Sequence, residues 1–201
     1  MTENITRIDK LTRHARKRLH IIRMLVMRET HEKALQYDYG KFSVRDKEVL
    51  DIGAADADSA LWFMEKGASK VYAYECDQAA FASGLIKIKN AYLSDYIKSY
   101  NKYVGTRANE IPLEEIINTH RLANCVLKCD TEGAEYDIIL NCDKKLFNDA
   151  FSFVMVEYHY GYLNLKKYLE ENGYEVSYRS PKITDQGMDN GLIYGKRIGA
   201  T

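Results

Sequence analysis

Val49-Leu-Asp-Ile-Gly-Ala-Ala-Asp-Ala-Asp-Ser59 is an apolar run that ends on a glycine and passes directly into alanines and acids. Such a run suits a strand buried on both faces, and the residues beyond it suit the start of a helix. Strand, tight turn and helix in that order predict the first crossover of a parallel sheet, whose ligands bind at the carboxyl ends of the strands. Gly53 lets the backbone turn sharply and lets a ligand approach it closely. The second and third glycines of a dinucleotide fingerprint are missing, and Asp56 and Asp58 add negative charge. A pyrophosphate is therefore disfavoured there and a cation-bearing ligand is not.

Outward from this stretch, the runs Val71–Glu75, Cys125–Asp130 and Phe153–Tyr158 predict further buried strands. Helices are expected over Asp58–Lys66, Asp77–Asn90, Pro112–His120 (with proline as the first helical residue) and Gly133–Phe147. Tyr96–Gly105 supplies one more strand. Beyond Tyr158, a helix over Leu163–Asn172 closes on Gly173, and strands over Tyr174–Arg179 and Leu192–Ile198 are expected to pair antiparallel. The fold class is α/β, a mostly parallel sheet covered by helices.

Residues 10 to 36 read as a separate amphipathic helix, with Leu11, Ala15, Leu19, Ile22 and Val26 on one face. Residues 1–44 are accordingly expected to form a basic helical extension and 45–201 the main domain. Seven Lys or Arg and no acid lie between Lys10 and Arg28. A solvated outer face accounts for them, and a surface for RNA or phosphate is the sharper account.

The whole chain of 201 residues carries 29 basic and 29 acidic side chains, so no global field draws it to nucleic acid or lipid. Hydrophobic residues make up 46%, which excludes a disordered chain, and no apolar run approaches the roughly 20 residues that span a bilayer. The first residues have no secretory core and resemble an organellar presequence only loosely. Cys76, Cys125, Cys129 and Cys142 form no CxxC pair, so zinc and thioredoxin sites are not expected. Reduced thiols in a cytoplasmic protein are the expectation.

Glu75 ends the second strand, at the place where an acid accepts hydrogen bonds from ribose hydroxyls. With an ammonium near Asp51 and a ribose on Glu75, the expected ligand is an adenosyl compound without pyrophosphate, and S-adenosylmethionine (SAM) has those parts. A turn-capping Asp51 and a surface Glu75 form the plainer account. Asp58 serves equally as a helix cap.

Four stretches now carry a resemblance: Val49–Ser59, Val71–Glu75, Leu127-Lys-Cys-Asp-Thr-Glu-Gly-Ala-Glu135 and Val156-Glu-Tyr-His159. The sequence resembles class I SAM-dependent methyltransferases of the FkbM type, with Lys-x-Asp-x-Glu-Gly-Ala-Glu as the most specific motif. Ala57 stands where that family usually has glycine. The resemblance implies a Rossmann-like seven-stranded sheet with an antiparallel last strand, helices on both faces and methyl transfer to an oxygen or another nucleophile. It implies that Asp51, Gly53, Ala54 and Ala55 line the methionine part of the cofactor, with Asp58 and Ser59 just beyond. Glu75 would hold the ribose, Cys76 would lie near the adenine, and Asp130 would close the wall by the reactive methyl.

Methyl transfer requires mainly that a nucleophile be positioned about 3 Å from the methyl, with a base where the acceptor arrives protonated. Asp130, Glu132, Glu135, Glu157 and His159 come from two strand ends and the turns after them. His159 is the candidate base, and Glu132 the candidate active-site acid. Their plainer roles are a structural histidine and a carboxylate that orders the Gly133 turn. Glu135 reads as a first-turn helix acid. Strand parity puts Glu157 and His159 on one face and Tyr158 on the other. Asp130, Glu132, Glu157 and His159 are also an Mg²⁺ or Mn²⁺ donor set, but the family resemblance implies no metal, and none is expected.

The expected reaction is O-methylation of a small-molecule or glycan hydroxyl. The alternatives are an RNA methyltransferase gripping phosphates with residues 10–28, and a SAM-binding protein without catalysis. No Asn-Pro-Pro-Tyr-like motif speaks for methylation of an exocyclic base nitrogen. A dehydrogenase is disfavoured by the missing glycines. The acceptor would be chosen by the N-terminal segment and by loops near Tyr100 and Tyr160.

Overall fold

A computed structural model describes residues 31–179, 182–183 and 189–200. The chain divides into two compact units, Met1–Gly40 and Lys41–Thr201. In the first, residues 31–39 are helical, while the basic stretch 10–28 lies outside the described residues. The rest of this description concerns the second unit.

Its elements alternate as expected: β1 (Glu48–Ile52), α1 (Asp58–Glu65), β2 (Lys70–Glu75), α2 (Gln78–Asn90), β3 (Ile97–Asn101), α3 (Leu113–His120) and β4 (Cys125–Cys129). Then follow α4 (Glu135–Leu140), α5 (Lys144–Ala150), β5 (Phe151–Tyr158), α6 (Leu163–Glu171), β6 (Tyr174–Tyr178), the short β7 (Lys182–Ile183) and β8 (Asp189–Arg197). The main sheet runs β3-β2-β1-β4-β5-β8-β6, with β7 on β8. Strands β1 to β5 pair in parallel, and β8 inserts antiparallel between β5 and β6. This is the Rossmann-like sheet with a reversed last strand.

The apolar runs form strands because both faces are covered. Leu50, Ile52, Tyr72, Tyr74, Leu127, Val154 and Val156 share one core with residues of α3, α4, α5 and α6. On the other face Ser59 of α1 reaches Asp51 of β1. Residues of α1 and α2 pack along β1, β2 and β3.

Several boundaries differ from the sequence reading, among them that of the third strand, which ends at Asn101 rather than Gly105. Gly133–Phe147 is not one helix: α4 stops at Leu140, and Asp143 starts α5 by accepting a hydrogen bond from the Leu146 amide at 2.8 Å. Pro112 is the extended residue before α3 rather than its first helical residue. The last strand begins at Asp189, upstream of Leu192. Among the described residues, no helix is long and apolar enough to cross a membrane.

Strand order reverses between β1 and β4. Two crossovers leave in opposite directions there, and a crevice opens at the carboxyl ends of the two strands.

Candidate functional site

The crevice is shaped by how closely the tips of β1 and β4 approach. Gly53 has φ of +75°, and a Cβ on it would fall 1.6 Å from the Asp130 carbonyl oxygen, so no other residue fits. Its amide donates to the Tyr74 carbonyl at 2.9 Å. The chain stays left-handed at Ala55 and at Ala57, whose φ of +68° is a conformation a glycine would adopt without strain. That is the position at which this sequence departs from the family pattern.

Glu75, at the end of β2, is buried, and both its oxygens hold backbone. Oε2 accepts from the Ala55 amide and Oε1 from the Asp77 amide, each at 2.7 Å. A carboxylate has about four acceptor positions, so capacity remains for a ligand. The Asn101 amide group donates to the Glu75 and Cys76 carbonyls and fixes the strand end.

A cavity of about 380 Å³ lies over this crevice. Its wall contains Gly53, Ala55, Glu75 and Cys76 from the first two strand ends, and Asp130 and Glu132 from beyond β4. Ile52, Tyr74, Val104 and Ala134 make it largely apolar, while Lys102 and Arg107 bring positive charge from the loop after β3.

Four expected cofactor contacts are not part of that wall. Asp51 is fully buried, accepts a hydrogen bond from Ser59 Oγ at 2.6 Å and lies 3.2 Å from Lys128 Nζ. Its charge is already answered inside the protein. Ser59 is committed to the same bond. Asp58 and Asp56 both bind Lys87 Nζ, at 2.5 and 2.6 Å, which removes the basis for reading them as a repulsive field. Ala54 is buried, with its amide on the Tyr74 carbonyl.

Lys128 is the residue the sequence reading passed over. It is almost wholly buried one residue from the end of β4, where its Nζ donates to the Gly53 carbonyl at 2.6 Å and lies 3.8 Å from Asp130 Oδ2. It locks the two strand tips together. A lysine inside an otherwise apolar strand was the available signal, since a buried ammonium requires acidic partners.

Behind the Asp130–Ala134 part of the wall lies Glu135, which does not itself line the cavity, nor does His159. This first residue of α4 has no exposed surface, and it is more than a helix-start acid. Oε2 accepts from the Gly133 amide at 2.9 Å and Thr131 Oγ1 at 3.2 Å. Oε1 accepts from the His159 amide at 2.9 Å and lies 3.0 Å from His159 Nδ1. The strand β5 ends at Tyr158, so His159 is positioned by Glu135 rather than by strand parity. His159 Nε2 lies 3.3 Å from Glu132 Oε2, and one donor atom each of Asp130, Glu132 and His159 lie within 4.8 Å of one another. Glu157 is not part of that group.

Burial opposes a charge on His159, but Glu135, Glu132 and Asp130 outweigh it and raise its pKa above the ordinary 6.5. Burial pushes the Asp130 carboxyl up from its ordinary 3.8, against the pull of Lys128 and His159. Cys76 is exposed at the cavity, and the other three cysteines are buried and free.

A crevice at the strand-order reversal, an acid at the end of β2 and a reversed last strand define the class I SAM-dependent methyltransferases. Residues 93–176 match the sequence model of the methyltransferase FkbM domain. That stretch is similar to FkbM-type methyltransferases, and the cofactor that goes with such a domain is SAM. No curated protein sequence matches the chain. Among solved structures it is similar to TrmK of M. capricolum in complex with the cofactor product S-adenosylhomocysteine (SAH), at 15% identity and a TM-score of 0.62 over 82% of this chain and 67% of that one. It is similar to the precorrin-6y C5,15-methyltransferase of Geobacter metallireducens, at 15% identity and a TM-score of 0.54 over 82% and 88% of the two chains. The METTL16 methyltransferase domain aligns at 16% identity and a TM-score of 0.56 over 84% of this chain and 67% of that one. These likenesses concern the fold. The cavity itself fits SAM: its volume is in the range of small-molecule sites, and a buried carboxylate with acceptor capacity to spare faces it.

Proposed function

We propose that the protein methylates a hydroxyl oxygen of a small-molecule or glycan acceptor. The observation that carries this reading is the meeting of His159 with Asp130 and Glu132, two acids that line the same cavity as Glu75. Bound SAM supplies a methyl group made electrophilic by its positive sulfur. Glu75 holds the ribose hydroxyls, while Gly53 and Ala55 let the ligand lie against the backbone, with Cys76 beside the adenine. Asp130, Glu132 and His159 receive the acceptor hydroxyl and its proton, with His159 held in place by Glu135. A hydroxyl needs such help because its neutral oxygen is a weak nucleophile.

Titration calorimetry with SAH and separately with NAD tests the cofactor. SAH is expected to bind and NAD is not; the opposite result overturns the reading. Labelled-methyl transfer into glycan and small-metabolite fractions, stable to mild alkali as an ether, tests the acceptor. His159→Gln is expected to lower turnover more than SAH affinity, and equal losses make it a structural residue.

RNA is the second reading, resting on residues 10–28 and on Lys102 and Arg107 at the cavity. RNA affinity that falls steeply with salt supports it, and no binding at low salt removes it. Free thiols suit a cytoplasmic setting.

A further inference from the structure

We propose that Asp130, Glu132 and His159 form a divalent-cation site, of a kind suited to Mn²⁺, at the acceptor end of the cavity. One carboxylate oxygen from each acid and one imidazole nitrogen lie within 4.8 Å of one another. Donors bound to one ion at about 2.1–2.4 Å are separated by up to about 4.8 Å, so small side-chain rotations close the site.

Glu135 supplies the independent argument. Its two oxygens face four donors: the Gly133 amide, Thr131 Oγ1, the His159 amide and His159 Nδ1. A carboxylate so placed is an acceptor only, which puts a proton on Nδ1; Nε2 faces Glu132 Oε2 at 3.3 Å, and a proton held between those two is displaced when an ion binds there. Carboxylate behind, imidazole between and open oxygen donors in front is the arrangement that orients metal-binding histidines. Lys128 does not substitute for the ion. It is closer to Asp51 and to the Gly53 carbonyl than to Asp130, at 3.2 and 2.6 Å against 3.8 Å. Two carboxylates and a neutral imidazole favour Mn²⁺ over the all-oxygen preferences of Ca²⁺.

This inference rests on the methyl-transfer reading for its purpose, and it recasts His159 from proton acceptor to ligand. Three protein ligands leave coordination positions for the substrate. An acceptor with a second oxygen on the carbon next to its hydroxyl, such as a vicinal diol, can take two of them. Coordination acidifies the hydroxyl, whose proton leaves to water. The alkoxide oxygen then forms the bond to the methyl carbon as the carbon–sulfur bond breaks, and the electron pair stays on sulfur.

The test uses the full chain, stripped with EDTA and titrated with Mn²⁺ while the free ion is followed by electron paramagnetic resonance. One saturable Mn²⁺ per chain is expected, weakened by about tenfold or more in Glu132→Ala and in His159→Gln. The Glu132 side chain is 88% exposed, so its variant keeps the fold. No saturable Mn²⁺ binding by the native sequence, or binding unchanged in both variants, overturns the site. SAH calorimetry on the same protein separates the two readings: SAH binding without Mn²⁺ binding overturns this inference alone. Mn²⁺ binding sensitive to both substitutions, without SAH binding, upholds the ion site and overturns the methyltransferase reading.

Discussion

Asp51 and Glu75 are acids on adjacent strands, and only Glu75 meets the cavity. Asp51 sits within β1, where its face is covered by α1 and by Lys128 of the neighbouring strand, whereas Glu75 is the last residue of β2. Glu75→Ala is expected to weaken SAH binding by about 1–3 kcal/mol, because ribose hydroxyls lose a buried acceptor. Calorimetry reads the change and a thermal melt checks the fold; unchanged affinity would contradict the ribose assignment. The sequence marked both acids correctly as belonging to the strand tips. It did not distinguish them, because the difference lies in which partner covers each face. Glu135 was obscured for the same reason: its partner His159 is 24 residues away and meets it only once β4 and β5 are paired.

At the scale of elements, the strands and most helices were legible because burial on both faces leaves long apolar runs, and glycines or aspartates punctuate them. The break between α4 and α5 was not. Asn141, Cys142 and Asp143 read as the interior of one helix, although Asp143 caps a new one. The Lys128 bridge between β1 and β4 is an element-scale feature with a large energetic consequence. Lys128→Met leaves Asp51 buried without its ammonium and is expected to cost about 3–5 kcal/mol, with part recovered in Lys128→Met/Asp51→Asn. Urea unfolding of the four proteins in the cycle measures it, and additive losses would deny the coupling. The junction of α3 with β2 carries a pH dependence. His120 stacks on Tyr72, lies 2.8 Å from Tyr74 Oη, and has its pKa lowered by burial and by Lys70. The folded state therefore favours the neutral ring, and the unfolded chain takes up the proton first as the pH falls below 6.5. Native stability is expected to decline more steeply from about pH 7 to 5 than that of His120→Phe. Parallel curves from urea titrations at several pH values would reject this.

For the whole molecule, the parallel sheet and its two-strand antiparallel ending were readable, since two strand patterns without a helix between them pair most simply that way, whereas the order of the strands was not. The cavity's outer wall was less so. Only its general location near Tyr100 was anticipated, because Lys102, Tyr103, Val104 and Arg107 come from irregular backbone that has no periodicity to read.

The strand latest in sequence is sixth in space, held on one side by β5 and on the other by β6. A nascent chain on the ribosome must wait for β8 before the sheet can close, and until then β5 offers an open hydrogen-bonding rim. Premature termination before Asp189 is expected to give aggregated product rather than a shortened enzyme, and sedimentation of the truncated protein checks this. The architecture thus acts as its own proofreader, withholding a closed sheet from any translation product that lacks β8.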